Sequence, residues 1–343
     1  MKSRNAQLFL VILLLMAGAS YLRSESSSGK YHLQKSYNVD VNGSKDFVWG
    51  HIALDSGARR LYIPSETTVK VVNVDSGKVV GEIGDTHGVI AVALAPELKR
   101  GFTTNPGDAS VTVFNTETLA TIKKVGVNKS SFILYDSFTK RIFPISTTTS
   151  VLDAASGDTA GAVKLDNQPA GAVSDGKGSV FVALPQKSEI AVIDARSLSV
   201  ARSYPVHEGC IPWSLAYSSE ASRLFVGCQN GLLTVLDSNT GETVTPISVL
   251  CSHVGDSVFD AEDKLLFESC VEGVVSVFKE IEPNYYTIVD TLKTEPASRI
   301  VAFDSKTKRI FLPAADFETA WLNGHPNKHQ IKPETFRILV YAP

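Results

Sequence analysis

Residues 213–244, WSLAYSSEASRLFVGCQNGLLTVLDSNTGETV, alternate short apolar runs with polar turn clusters, and that alternation organises the whole chain. Leu215, Ala216 and Tyr217 are followed by a polar turn over residues 218–222. RLFVGC then forms a continuous apolar run, short and rich in β-formers, as a fully buried strand requires. Gln229, Asn230 and Gly231 make a hairpin signal, because Asn and Gly tolerate the positive φ of a tight turn. LLTVLD gives a third strand, and the cluster at residues 237–241 closes a second hairpin onto ETVTPIS. Four antiparallel strands in a meander make a sheet that cannot bury both faces alone, so neighbouring copies must cover them.

Copies are present along the chain. A turn ending in a basic residue before an apolar strand recurs near Arg60, Arg100, Arg141, Arg223, Lys264 and Arg309, with a further copy, KGSVFVAL, near Ser179. Successive spacings are 40, 41, 38, 44, 41 and 45 residues, the range of propeller blades. A second element follows at a fixed offset: an apolar residue, Asn or Asp, two variable residues, then Ser or Thr. It is anchored at Asn73, Asn115, Asp153, Asp194 and Asp237. An Asx side chain there bonds the backbone of its own turn, so these acids are turn-formers before they are catalysts. Two independent elements at one period predict an all-β fold, a seven-bladed β-propeller of four-stranded antiparallel blades.

Two blades depart from the pattern. The sixth carries KEIEPNYYTIVD in place of the Asx turn, and the seventh holds an insert at residues 318–335 before FRILVYAP returns as a strand. The last blade has only three strands of its own. Residues 31–41, YHLQKSYNVDV, have strand character and are expected to pair with residues 338–341, closing the ring between N-terminal and C-terminal strands. Losing that strand is expected to destabilise the whole ring. Residues 31–343 are thus expected to form one domain.

The strand pairs IALDSGARRLYIPSETTVKVVNVDSGKVV and VALAPELKRGFTTNPGDASVTVFNTETL resemble the YVTN-type repeats of YncE-like seven-bladed propellers. The resemblance covers about residues 31–343 and implies an exported propeller from a family without one agreed reaction. Where relatives of this type often have Trp-Asp at the start of the first repeat, this chain has Trp49 and Gly50. Related rings occur in quinoprotein dehydrogenase subunits, nitrous-oxide reductase and haem d1 proteins. None of their ligand motifs matches here, so no cofactor is expected.

Ahead of the repeats, residues 1–19 read as a cleavable signal peptide. Lys2 and Arg4 precede the apolar run 8–16, and Ala17, Gly18 and Ala19 supply the small-residue cleavage site. As a helix, residues 8–19 would span about 18 Å against a hydrocarbon layer of about 30 Å. Residues 20–30 read as a flexible lead-in. The expected location is periplasmic or secreted, with no membrane span in the mature chain. Removing the signal leaves 31 basic and 36 acidic residues. No basic tract suited to nucleic-acid phosphates appears.

In a propeller the first strand of each blade lines a central channel. Alignment on the repeat puts His51, Trp213, Asp256 and Arg299 at or just before those strands, with His87 and His253 slightly further out. Such a set suits a small anionic or polar ligand, with Arg299 as charge anchor. The plain alternative is a solvated or mutually paired loop set. Cys210, Cys228, Cys251 and Cys270 fall in two consecutive repeats, two before first strands and two ending second strands. In an oxidising compartment they are expected as disulfides, and of three possible pairings Cys210–Cys228 and Cys251–Cys270 are favoured. A mixed Cys and His metal site is the sharper alternative, with His207 three residues before Cys210 and His253 two after Cys251, but the spacings match no finger pattern, and no metal is expected.

There is no GxSxG elbow, HExxH helix or Walker-type loop, so no catalytic residue is assigned. The first reading is an exported binding or interaction module that recognises an unidentified protein or small molecule of the cell envelope at the channel mouth. The second is a propeller enzyme, a lactonase-like hydrolase or a redox-system subunit, using His51, Asp256 and Arg299. A third is a cell-envelope spacer.

Overall fold

After a half-exposed first residue, the second strand of a repeat is buried along its whole length. Arg60–Ser65, Arg223–Cys228 and Arg309–Ala314 share this profile. Fourth strands such as Thr121–Gly126 are largely exposed. The sheets therefore stand edge-on, with burial falling toward the outside.

The computed structural model describes residues 30–41, 50–248, 251–322, 325–332 and 334–343. The expected signal peptide at residues 1–19, most of the expected lead-in and Trp49 lie outside the described residues. The described strands form seven four-stranded antiparallel sheets and one separate two-stranded hairpin. Blades 1 to 7 begin with Ala53–Asp55, Ala91–Ala95, Phe132–Asp136, Ala172–Ser174, Pro212–Ser218, Val254–Asp260 and Ala302–Asp304. These first strands touch one another in an unbroken circle. The ring is a seven-bladed β-propeller, and no α-helix occurs among the described residues.

In blades 1 to 6 spatial order follows chain order. In blade 7 the order runs Ala302–Asp304, Arg309–Ala314, Arg337–Ala342, His32–Asn38. The closing pair registers His32 with Ala342 and Asn38 with Arg337, with a bulge between Leu33 and Lys35. Val39 N–H donates to Phe336 O at 3.1 Å. Tyr31 meets Phe267 of blade 6 edge-on at 5.1 Å, and the Tyr37 hydroxyl donates to Val74 O of blade 1 at 3.0 Å. The closing strand thus touches both neighbours of the seam.

Three consecutive blade interfaces repeat one aromatic contact. Phe181 stacks on Tyr217, Phe225 on Phe259 and Phe267 on Phe303, with centroids 5.9, 5.1 and 5.6 Å apart. In each pair a second-strand ring meets a first-strand ring of the next blade, adding roughly 0.5–1.5 kcal/mol beyond area burial. The Asx turns form as expected: Asn73, Asn115, Asp153, Asp194 and Asp237 each accept two backbone N–H bonds from residues two and three positions on. Those bonds from Ser197 and Arg196 hold the Asp194 carboxyl below its ordinary value.

One register differs from the sequence reading. The residue before each second strand is left-handed, with φ of 58° at Arg59, 55° at Lys140, 52° at Ser222, 55° at Lys264 and 56° at Lys308. Lys264 is therefore the equivalent of Arg59, and the sixth repeat is anchored at Leu265. The spacings around it become 42 and 44 residues, from Arg223 to Leu265 and from Leu265 to Arg309. A leucine at a position usually held by Arg caused the one-residue slip.

Blade 6 departs as its sequence suggests, with nine-residue outer strands Val274–Glu282 and Tyr285–Lys293. The insert of blade 7 contains the hairpin Phe317–Leu322 and His325–Ile331. Its base is held by Arg337, which pairs with Glu295 and lies 2.9 Å from Asp316. Among the described residues no helix is long and apolar enough to cross a membrane.

Candidate functional site

A channel formed by seven first strands has one rim position per blade, and a cavity of about 200 Å³ lies where those positions converge. It is lined by His51, Ile90, Ser131, Gly171, Trp213, Asp256 and Arg299, one residue from the start of each blade in turn, together with Pro169, Ala170 and Gly255. Of the six residues the repeat alignment places at or near the mouth, four share this cavity. His87 does not join them. It lines a separate cavity of about 370 Å³ with Glu66, Thr67 and Pro106, touching the central one only through shared Ile90. His253 also stands apart, exposed and bonded to Glu272.

Backbone bonds between blades hold the rim. His51 N–H donates to Ile90 O at 2.8 Å, Gly171 N–H to Trp213 O at 2.9 Å and Asp256 N–H to Arg299 O at 2.9 Å. Close approach needs glycine at two of these joints. A Cβ on Gly171 would lie 2.5 Å from Trp213 O, and one on Gly255 would lie 2.1 Å from Arg299 O. The rim is preorganised by the closed ring rather than by local loops.

His51 Nδ1 lies 3.1 Å from Asp256 Oδ2, joining blades 1 and 6 across the cavity. Phe132 of blade 3 meets the His51 ring edge-on at 4.9 Å. Asp256 is therefore engaged by His51, whereas buried Arg299 Nε has no hydrogen-bond partner among the described residues. A buried N–H without a partner costs roughly 1–3 kcal/mol, and the Arg299 side chain that carries it lines the cavity.

Two buried residues behind the rim were not singled out by sequence reasoning. Ser269 accepts from Asp256 N–H at 2.9 Å, and its hydroxyl is shared between Arg299 O at 2.6 Å and Asp256 O at 3.0 Å. It fixes the backbone of the anion and the cation together. Its neighbour Glu268 points the other way, between blades 5 and 6. There Ser214 donates to Oε1 at 3.0 Å and Ser257 to Oε2 at 2.7 Å. Burial pushes the Glu268 carboxyl up to about 8; the two serine bonds oppose the rise and the nearby Asp256 charge adds to it. Glu268 was legible as an acid inside the apolar run LLFESC, where the matching residue of blade 5 is Val226. Gly227 leaves it room, since a Cβ there would lie 2.6 Å from Glu268 Oε1.

Both cysteine pairs are disulfides within blades: Cys210 with Cys228, and Cys251 with Cys270. The sulfurs of Cys251 and Cys270 and a Glu272 carboxylate oxygen lie within 4.8 Å of one another. With the sulfurs bonded to each other they offer no thiolate.

No protein-family model and no curated protein sequence matches the chain. Many solved structures share its architecture, and two illustrate it. One is hydrazine synthase of Kuenenia stuttgartiensis, 16% identical, covering 82% of this chain and 95% of that one with a TM-score of 0.65. The other is a chain of a mitotic checkpoint complex, 11% identical, covering 91% of each chain with a TM-score of 0.73. The likeness is one of fold. A seven-bladed propeller supports a binding or interaction module in general.

Proposed function

We propose that this propeller binds a small anionic molecule in the seven-blade cavity, with Arg299 as anchor, His51 and Asp256 as polar contacts and Trp213 as an apolar wall. The observation that carries the reading is the buried, unpartnered Arg299 Nε beside an acid already engaged by His51. Burying the ligand's charge against a guanidinium held by the ring gives affinity without a loop closure. A thermal-shift panel of small carboxylates and phosphates tests it. At least one is expected to raise the melting temperature, and Arg299→Ala is expected to weaken its binding at least about tenfold. If no anion shifts the protein, or if Arg299→Ala binds equally well, the reading fails.

A second reading rests on the hydrogen bond between His51 and Asp256, an imidazole and carboxylate pair suited to proton transfer. The hydrazine synthase likeness gives this enzymatic alternative a fold precedent only. Turnover lost in His51→Ala with the fold intact would favour it over a pure binding site.

The proposal includes export and a YncE-like ancestry. Two disulfides and no long apolar helix among the described residues fit a periplasmic or secreted protein. N-terminal sequencing of protein from the envelope or medium is expected to begin just after Ala19. The repeats quoted above support the ancestry, and an envelope protein remains an alternative partner to a small molecule.

A further inference from the structure

Blades 5 and 6 carry their disulfides at matching places. In each, the loop before the first strand is joined to the end of the second strand, and Pro212 pairs with Cys228 as Val254 pairs with Cys270. The flanking backbone matches too: Gln229 N–H donates to Ile211 O at 2.9 Å, and Val271 N–H to His253 O at 3.0 Å. Side chains do not match. Where blade 5 has Ile211 and Asn230, blade 6 has His253 and Glu272. Asn230 serves its loop, accepting from Ile211 N–H at 3.3 Å and donating to Gly209 O. Glu272 does the equivalent work through Ser252 N–H at 3.2 Å, yet adds a charge and an imidazole at 3.0 Å.

Burial separates the pairs further. Cys210 and Cys228 are both fully buried, whereas Cys251 is half-buried at the surface. Cys251 thus lies nearer solvent than either cysteine of blade 5, with the Glu272 carboxylate beside the sulfurs and His253 bonded to that carboxylate.

We propose that the Cys251–Cys270 disulfide, when opened by a dithiol reductant, becomes a zinc-class metal site completed by Glu272 and His253. The dithiol gives two electrons, the sulfur–sulfur bond breaks to two thiols, and the reductant leaves as its own disulfide. Metal binding then displaces one proton from each thiol and adds two thiolates, one carboxylate and one imidazole, a four-ligand set suited to tetrahedral zinc. Atoms around such an ion stand roughly 3.3–3.8 Å apart, given bonds of 2.0–2.3 Å. The ligand atoms of Cys251, Cys270 and Glu272 lie within 4.8 Å of one another, whereas His253 stands outside that group, 3.0 Å from Glu272, and must turn toward the sulfurs to complete the set. The ladder between Val254 and Cys270 and the bond from Val271 to His253 keep the four residues together once the disulfide opens. This site is separate from the channel cavity and does not depend on the function proposed for it.

The test uses the full oxidised chain. It is treated with dithiothreitol under native conditions, mapped by mass spectrometry for which disulfide opened, freed of reductant without air and titrated with cobalt(II). Expected are reduction of Cys251–Cys270 alone, one cobalt per chain with thiolate charge-transfer and tetrahedral bands, displacement by zinc, and no uptake by oxidised protein. Glu272→Gln keeps an acceptor for Ser252 and is expected to weaken cobalt about 10–100-fold, with a similar loss for His253→Ala. No uptake by the reduced, folded chain overturns the proposal. So does uptake unchanged in both variants, which is bare dithiol chelation, or unfolding of the ring on reduction, which removes the scaffold the site needs.

Discussion

Blade 5 and blade 6 follow one backbone plan with different contents. Both have a buried second strand, an aromatic from it stacked on the next blade and a disulfide at the rim. Within that plan the positions of Val226, Gly227, Ile211 and Asn230 in blade 5 are taken in blade 6 by Glu268, Ser269, His253 and Glu272. Every one of the four changes adds polarity or charge. Repetition secures the ring many times over, so a single blade can give up apolar positions to chemistry without opening it. Blade 6 has done so on three sides: toward blade 5 with Glu268, toward the cavity with Ser269 and Asp256, and toward solvent with His253 and Glu272.

Moving the chemistry across is the strongest way to break this comparison. Val226→Glu puts a carboxyl at the matching place in blade 5, where Val226 is fully buried in an apolar cluster with Phe181 and Leu224. It is expected to destabilise by about 4 kcal/mol or more at neutral pH in denaturant unfolding. A loss below about 1 kcal/mol would mean that blade 5 already tolerates charge there and the contrast is superficial.

Removing the disulfides comes next. Each closes a loop of similar span, 18 and 19 residues apart in sequence, so chain entropy alone gives both about 3 kcal/mol. Cys210→Ala with Cys228→Ala also leaves a fully buried gap and is expected to cost roughly 1 kcal/mol more than the same change at Cys251 and Cys270. Equal losses would remove the burial argument that separates the two bonds.

Glu268 gives a pH signature. Its folded value, near 8, lies above the ordinary 4.5 of the free side chain, so the folded state holds a proton that the unfolded state releases. Its contribution to stability is fully present below about pH 4.5, falls as pH rises and levels off above about 8. Relative to Glu268→Gln, the native protein is expected to lose about 3 kcal/mol between pH 4.5 and pH 7. A flat difference across that range would show that Glu268 is already ionised in the fold.

The smallest effect belongs to Ser269→Ala, expected at about 1–2 kcal/mol of stability. Anion binding should weaken in step, because the Asp256 and Arg299 backbones lose their shared partner. Full stability loss with unchanged binding would make Ser269 a packing residue only.

The ring, its order and its closure were legible because two sequence elements kept one period through five or more repeats. The rim set was legible for the same reason: aligning repeats superposes their first strands. What escaped depends on facts the period does not hold. The partner of His51 lies 205 residues away and meets it only across the closed channel. His87 was drawn toward the mouth because the path of its loop is set by Gly88 at φ 67° and by Gly107 packed against the His87 backbone, neither visible as a distance in sequence. Arg299 read as a charge anchor by position alone, whereas its unpartnered Nε appears only once the neighbouring acid is seen bonded to His51. Glu268 was visible as a charge in an apolar run, a signal outweighed by the strength of the repeat around it.

The seam between His32–Asn38 and Arg337–Ala342 has a consequence for biogenesis. The strand synthesised first must wait about 300 residues for the one that completes its sheet. Until then the growing chain carries an open edge at each end, and sequential docking of earlier blades cannot hide either. A nascent polypeptide in that state cannot complete its core blade by blade, because the ring can shut only when its final segment has emerged.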